Sequence, residues 1–569
     1  MNWTRISRTL ILSTVFLCFT IFSLTAQAKI PVRSKKGMVV SSHALASEAG
    51  VAMLRNGGNA IDAAVATGLA LAVVHPAAGN IGGGGFMVIV TKEGKATAID
   101  FREKAPLAVH KNMFIDAKGK YSKDSNHEGY RSVGVPGTVA GFDLALKKYG
   151  TKSWNDVTAS ALRLAEEGFV LSRAMGNDFR NLRKDFKKYP SSAKIFFQRD
   201  TIPYEAGDRW RQPDLAKTLK RLQQQGRDGF YKGETSRLIA VDMKRNKGLI
   251  TEEDLLQYQA VERVPLHGTY RGVDVFSMAP PSSGGVALLE MLNILEGYDL
   301  KSMKHNSDSY LHLLTEAMRR AYRDRAQFLG DPDFNPRMPI QRLTSKKYAE
   351  ELRRGISLEK ASTSNPKDLE KSYENNETTH YSVVDAEGTM VSVTYTLEYW
   401  YGSRIVAQGT GIVLNNEMGD FNPVPGVTDT SGLIGTMPNL VEPGKRMLSS
   451  MTPTILVKNG KPWACIGSIG GRTIINTVFQ VVLNLIDFQM DIAEAVDAGR
   501  IHHQWLPDVL TIERSLLKST LQKDLEAMGH KIKATSSMGR MNGIVIDPRS
   551  RLREGAADPR DPDAKAVGY

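Results

Sequence analysis

The chain has 569 residues, 74 Lys and Arg against 61 Asp and Glu, 50 Gly and only 2 Cys, with a formal net charge of +13. Two cysteines exclude a disulfide-built scaffold, and the absence of paired Cys or Cys/His spacing excludes structural zinc and dithiol redox chemistry. The length is ample for a sizeable core, either in several domains or in one large layered fold.

At the start, Arg5 and Arg8 precede an apolar run from Leu10 to Leu24 that ends in Ala26-Gln27-Ala28. A positive start, a short apolar stretch and a small-x-small ending predict a cleaved secretory leader over residues 1–28, and so a periplasmic or secreted mature protein. Its loss also removes Cys18 and leaves Cys465 alone. From Ser42 to Val74, small and apolar residues recur at helical spacing on either side of Arg55-Asn56-Gly57-Gly58-Asn59, which predicts two closely packed helices joined by a glycine turn. The run Gly79 to Phe86 then leads into an apolar strand, Met87 to Val90. It has no Gly-Lys-[Ser/Thr] ending and enters a strand where a phosphate loop opens a helix, so nucleotide binding is not expected.

The basic residues Arg173, Arg180, Arg183, Lys184, Lys187 and Lys188 are interleaved with Asp178, Asp185 and Phe186. That pattern is a solvated helix face, and no nucleic-acid partner is expected. Residues 150–345 are mostly helical by period, interrupted by a strand-and-turn section from Tyr270 to Ser283 with Pro280 to Gly285 as a breaker. From Ala361 to Glu377 there is no apolar period, which predicts an exposed, mobile segment. An alternating strand pattern begins directly after it, so a boundary falls near 377.

Thr378 to Asp385, the turn Ala386-Glu387-Gly388 and Thr389 to Leu397 form a hairpin signature. A three-residue loop at 386–388 sets Thr378 opposite Thr396, two hydroxyls at the mouth of a strand pair. A Thr hydroxyl is a poor nucleophile without a base beside it. A chain cut just before a Thr supplies that base in its own α-amino group, whose pKa is near 8. Downstream, Gly467 to Gly471 precedes an apolar helix from Thr473 to Phe488, and amides near a helix start suit a developing oxyanion. His502-His503 is not a metal pair, because neighbours on a strand point to opposite faces and no HExxH occurs. No metal or cofactor is expected.

On these motifs the sequence resembles the γ-glutamyltransferases (glutathione hydrolases) of the N-terminal-nucleophile hydrolase superfamily. The resemblance spans the mature chain. It rests on Gly57 to Ala64, Gly82 to Phe86, Asp100 to Glu103, Val135 to Gly137, Pro280 to Gly285, Thr378 to Asp385, Leu414 to Glu417 with Asp420-Phe421, Leu448 to Met451, Gly467 to Gly471 and the ending Gly568-Tyr569. It implies an α+β fold, the four-layer αββα sandwich. It also implies a precursor that cuts itself between Glu377 and Thr378 into a large subunit, 29–377, and a small catalytic subunit, 378–569, which remain together as a heterodimer.

By the same resemblance, Thr378 attacks the γ-carbonyl of glutathione or another γ-glutamyl donor, Thr396 hydrogen-bonds it, and Gly470 and Gly471 offer backbone N–H groups to the oxyanion. Arg102, Ser449 and Ser450 take the donor's α-carboxylate, and Asp420, Glu417 and Glu398 take its ammonium. Water or an amino acid or dipeptide acceptor then receives the group. Two positions vary from some relatives: Glu398 replaces an amide, and Ile469 stands where Pro is common. A lid of family length, Asn422 to Arg446, contains no aromatic residue, which leaves Trp400 and Tyr401 as partial substitutes. Two alternatives stay open, a glutaryl-type β-lactam acylase using the same Thr, and an unprocessed exported binding protein.

Overall fold

The computed structural model describes residues 30–122, 124–199, 201–366 and 378–569. The expected leader and Glu377, with most of the polar segment before it, lie outside the described residues. In chain order, the central strands are β1 (Val32–Ser34), β2 (Met38–Ser41), β3 (Gly84–Val90), β4 (Ala96–Phe101), β5 (Val261–Arg263), β6 (Leu266–Tyr270) and β7 (Val273–Ser277). After the undescribed segment come β8 (Thr379–Val384), β9 (Met390–Thr396), β10 (Thr454–Lys458), β11 (Lys461–Ile469), β12 (Arg540–Ile546), β13 (Arg553–Ala557) and β14 (Lys565–Gly568). They form two seven-stranded sheets, one in the order β14-β2-β8-β9-β3-β4-β5 and the other β1-β13-β12-β11-β10-β7-β6.

Side-chain alternation sorts these strands into layers. On the first sheet Val39, Met87, Ile89, Tyr381, Val383, Val391 and Val393 share one core with the helices α1 (Ala44–Arg55) and α2 (Ala60–Val74). The opposite face, with Met38, Val40, Val88 and Met390, meets the second sheet. That sheet is covered in turn by α3 (Gly284–Leu295), α4 (Asp308–Phe328) and α5 (Thr473–Ile486). Helix, sheet, sheet, helix is the αββα sandwich. Among the described residues, no helix is long and apolar enough to cross a membrane.

The space between the sheets also holds polar groups, each bonded to another. His380 contacts Thr394 Oγ1 at 2.9 Å and Ser382 Oγ at 3.0 Å, and the Asn542 amide donates to the His380 carbonyl at 2.8 Å. Burial pushes the His380 pKa down to about 3, so the ring is a neutral part of the scaffold. Cys465 is equally inert, its thiol pushed up to about 12 by burial.

The Asn59 to Asp62 stretch earns its place as a helix start: Asn59 and Asp62 form a capping box on α2, and Asp62 also accepts from the Thr151 and Lys152 amides. Two boundaries differ from expectation. The strand after the glycine run begins at Gly84 rather than Met87, and Gly284, read as part of a breaker, opens α3. In both places a neighbouring segment comes too close for a side chain; a Cβ on Gly284 would lie 2.2 Å from Thr452 Oγ1. The basic cluster falls on the helices Arg173–Asn181 and Arg183–Phe186 and, with Lys187 and Lys188, on the turn that follows, cations outward and Phe179 and Phe186 buried.

Candidate active site

Thr378 sits immediately before β8 and is 3% exposed. The β8–β9 register runs from Val384 opposite Met390 to Thr379 opposite Tyr395, so one further step places Thr378 against Thr396. This is the register that a three-residue turn requires. Thr396 closes β9, and its hydroxyl accepts the Glu398 N–H at 2.8 Å. Glu398 has φ +76, a left-handed conformation uncommon for a bulky residue, and its carboxylate lies 3.2 Å from His127 Nδ1.

The glycine run serves this strand end by close approach. The Asn80 amide donates to the Thr396 carbonyl at 2.9 Å and its oxygen accepts the Gly83 N–H at 2.9 Å. A Cβ on Gly83 would stand 2.0 Å from the Thr396 carbonyl oxygen, so only glycine allows the contact.

Arg102 follows β4 and is fully buried. Its guanidinium meets Glu417 at 2.6 Å and Glu103 at 3.3 Å, contacts Asp420, and donates to the Met447 and Leu448 carbonyls at 3.3 Å. Burial opposes its charge, but Glu417, Glu103 and Asp420 outweigh burial and raise its pKa. Burial pushes the Glu103 carboxyl up to about 7 and Glu417 well above the carboxylate range, although Arg102 pulls both down. The cation and anions expected at opposite ends of a substrate are thus paired with one another here.

Ser449 and Ser450 are fixed from the side of α3 and α4. Ser449 Oγ accepts the Met451 N–H at 3.1 Å, and its carbonyl takes the Ser283 hydroxyl at 2.6 Å. Arg325 on α4 donates to Ser450 Oγ at 3.1 Å and to Ser283 Oγ at 2.7 Å. Gly470 and Gly471 follow β11 with φ of +121 and +51, and the Gly470 carbonyl caps the first turn of α5 through the Thr473 N–H at 3.0 Å. Such a glycine turn aims amides at one point in front of a helix N-terminus.

One narrow cleft is lined by all the expected site residues except Gly470 and the undescribed Glu377. Gly470 lines a second cavity of about 550 Å³, and Thr378 alone is common to both. The segment expected to act as a lid, 422–446, is held by Asn439, which donates to the Asp420 carbonyl at 2.7 Å and accepts the Leu448 N–H at 2.9 Å. Of the two aromatics expected to substitute for a lid ring, Trp400 lines the larger cavity. Tyr401 does not: it is fully buried against Phe186 and Phe196, where an aromatic ring gains more from the core than from a solvent-facing cleft.

Glu103, His127 and Arg325 were not singled out by sequence. Glu103 adjoins Arg102 in the Asp100 to Glu103 motif; His127 and Arg325 lie in segments with no local signal.

A family model described as Gamma-glutamyltranspeptidase matches residues 46–568. A glutathione hydrolase proenzyme of Escherichia coli K12 is 48% identical over 542 residues, covering 95% of this chain and 93% of the relative. A cephalosporin acylase structure from Bacillus halodurans superposes with TM-score 0.84 at 28% identity, over 96% of this chain and 98% of that one. A Helicobacter pylori gamma-glutamyltranspeptidase structure is 46% identical with TM-score 0.56, over 59% of this chain and 94% of that one. With this fold and these matches, the chain belongs to the gamma-glutamyltranspeptidase family and is an enzyme with that family's γ-glutamyl-transfer activity.

Proposed function

We propose that the chain is a self-processing precursor whose Thr378 cleaves glutathione and related γ-glutamyl amides. The observation that carries this is the convergence of Thr378, a buried arginine, buried acids and paired serine hydroxyls on one cleft. In maturation, Thr378 Oγ attacks the Glu377 carbonyl and the resulting ester is hydrolysed, which leaves subunits 29–377 and 378–569 as a heterodimer. The freed α-amine then takes the hydroxyl proton as Thr378 Oγ attacks the γ-carbonyl of the donor.

Gly470 and Gly471 N–H groups receive the oxyanion, a role in which one donor is typically worth about 10²–10³ in rate. The proton passes to the departing amine, the C–N bond breaks, and a γ-glutamyl ester remains on Thr378. Water or the amine of an amino acid or dipeptide attacks that ester. Arg102, Ser449 and Ser450 hold the donor carboxylate, while Glu398, Glu417 and Asp420 hold its ammonium; the substrate's two charges replace the pairing that Arg102 and its acids make with each other. Export through a leader at residues 1–28 places this chemistry outside the cytoplasm.

Similarity to a cephalosporin acylase favours a second reading, removal of a glutaryl group. The buried acids weigh against it, since a glutaryl chain has no ammonium to meet them. Purified protein offered a γ-glutamyl and a glutaryl anilide separates the two. In parallel, Thr378→Ala is expected to give one uncut, inactive chain on a gel. Two-band processing in that variant would falsify the scheme.

A further inference from the structure

The two cavities that meet at Thr378 differ in charge. The cleft sets Glu398, Glu417 and Asp420 around Arg102, whereas the larger cavity has Lys533 and Arg540 on its wall and no carboxylate. Its remaining titratable side chain, His502, is pushed by burial down to about 4 and is neutral near pH 7. Arg540 opens β12 directly opposite Ile469, the residue before the Gly470-Gly471 turn, so it stands beside the turn proposed to receive the oxyanion. Its guanidinium is half-buried and lies over the Trp400 ring at 5.2 Å, which limits its directions.

Among the described residues, neither Arg540 nor Lys533 forms an ion pair or a side-chain hydrogen bond. Arg540 and Trp400 also line an adjoining cavity that holds Asp178, Asp561 and Asp563; Asp178 and Asp561 attract Arg540 from there, and none of the three comes within ion-pair distance of it. Positive groups held in no ion pair, on a concave wall of ligand-pocket size that carries no carboxylate and adjoins a nucleophile, are a built site for an anion.

We propose that this cavity receives the amine that leaves or accepts the γ-glutamyl group, and that Arg540, with Lys533 at the rim, selects amines carrying a carboxylate. The inference rests on the Thr378 reading above. The amine end must face Thr378 for chemistry, so the far end of an amino acid or dipeptide, its carboxylate, projects along the cationic wall. In transfer, the neutral amine forms the new C–N bond as the C–Oγ bond to Thr378 breaks. The proton lost by the amine returns through the Thr378 α-amine to Oγ, and no further reactant is needed.

The test compares glycylglycine with glycylglycinamide as acceptors, which differ in the carboxylate, using a γ-glutamyl anilide as donor. The unaltered enzyme should favour glycylglycine in acceptor kcat/KM by roughly tenfold, the low end for a charge-assisted contact because Arg540 is only half-buried. That preference should shrink with added salt, and should fall toward unity in Arg540→Gln and in Lys533→Gln/Arg540→Gln while Arg540→Lys keeps part of it. Equal use of both acceptors by the unaltered enzyme, or a preference untouched by salt and by both substitutions, overturns the proposal while leaving the Thr378 reading intact. Absence of anilide release would overturn both. The salt series uses unaltered protein, so the proposal stays exposed to refutation even if a variant misfolds.

Discussion

Replacing Arg102 with Gln removes the cation that faces Glu417, Glu103 and Asp420 in a fully buried setting. Breaking a buried pair by deleting one partner costs about 3–5 kcal/mol, because the other charge is left without compensation. Here the acids have an escape. Glu103 already titrates near 7 and Glu417 higher than usual, and Arg102 is what pulls both down, so its loss lets them take up protons.

The sign follows from linkage: an acid whose folded pKa is above its unfolded value favours folding when protonated, and loses that advantage as pH rises past the unfolded value. The deficit of Arg102→Gln should therefore be small at pH 5.5 and approach the full penalty at pH 8.5. Donor binding should weaken separately, since a charge-assisted contact of about 1.5–3 kcal/mol corresponds to roughly a 10- to 150-fold rise in KM. Thermal unfolding of both proteins at the two pH values, with anilide hydrolysis at pH 8, measures each effect. A stability deficit independent of pH, or an unchanged donor KM, would refute the reasoning about the cleft.

Thr396→Ala removes the acceptor of the Glu398 N–H and should slow maturation or turnover, read from the band ratio over time and from anilide release. Ser431 lies on the lid beside Gly432, whose Cβ position is 3.3 Å from Pro507 on the larger cavity, so Ser431→Tyr should hinder water and raise the ratio of transfer to hydrolysis at fixed pH. In the unaltered enzyme the same ratio should climb from pH 7 to pH 9, as an acceptor amine with pKa near 8 loses its proton; chromatography of products at one acceptor concentration decides both. N-terminal sequencing of extracytoplasmic protein should find Lys29 first, and Met1 there would contradict a cleaved leader.

Local pattern carried some of this architecture and could not carry the rest. The hairpin register was readable because turn length fixes which residues face each other, and the pairing of Thr379 with Tyr395 agrees. Glycine misled at the start of β3, since its low strand propensity moved the expected start to Met87; Gly84 and Gly85 are there because the Phe101 and Thr394 carbonyls come close, the second of them 309 positions from Gly85 in sequence and invisible to any window. Arg325 is similar. It reaches Ser450 across 125 positions, and within α4 it looks like one more surface arginine. The charges of Arg102 and its acids were legible as types, but their mutual pairing depends on burial, which composition does not specify.

The sheet orders have a consequence for the life of the molecule after a cut at 377. Strands from before and after that point are shuffled together: β2 lies between β14 and β8, β9 is bonded to β3, and β1 rides on β13. Opening the chain there would yield two pieces that share both sheets, with no seam along which they could part. Neither piece owns a complete sheet, so each would be an incomplete fold if made alone, and joining two separately produced halves would amount to folding the whole protein again. Scission would release one peptide end at Thr378 while the other strand pairings stay fastened, which lets a covalent break act as a chemical unmasking rather than as a disassembly.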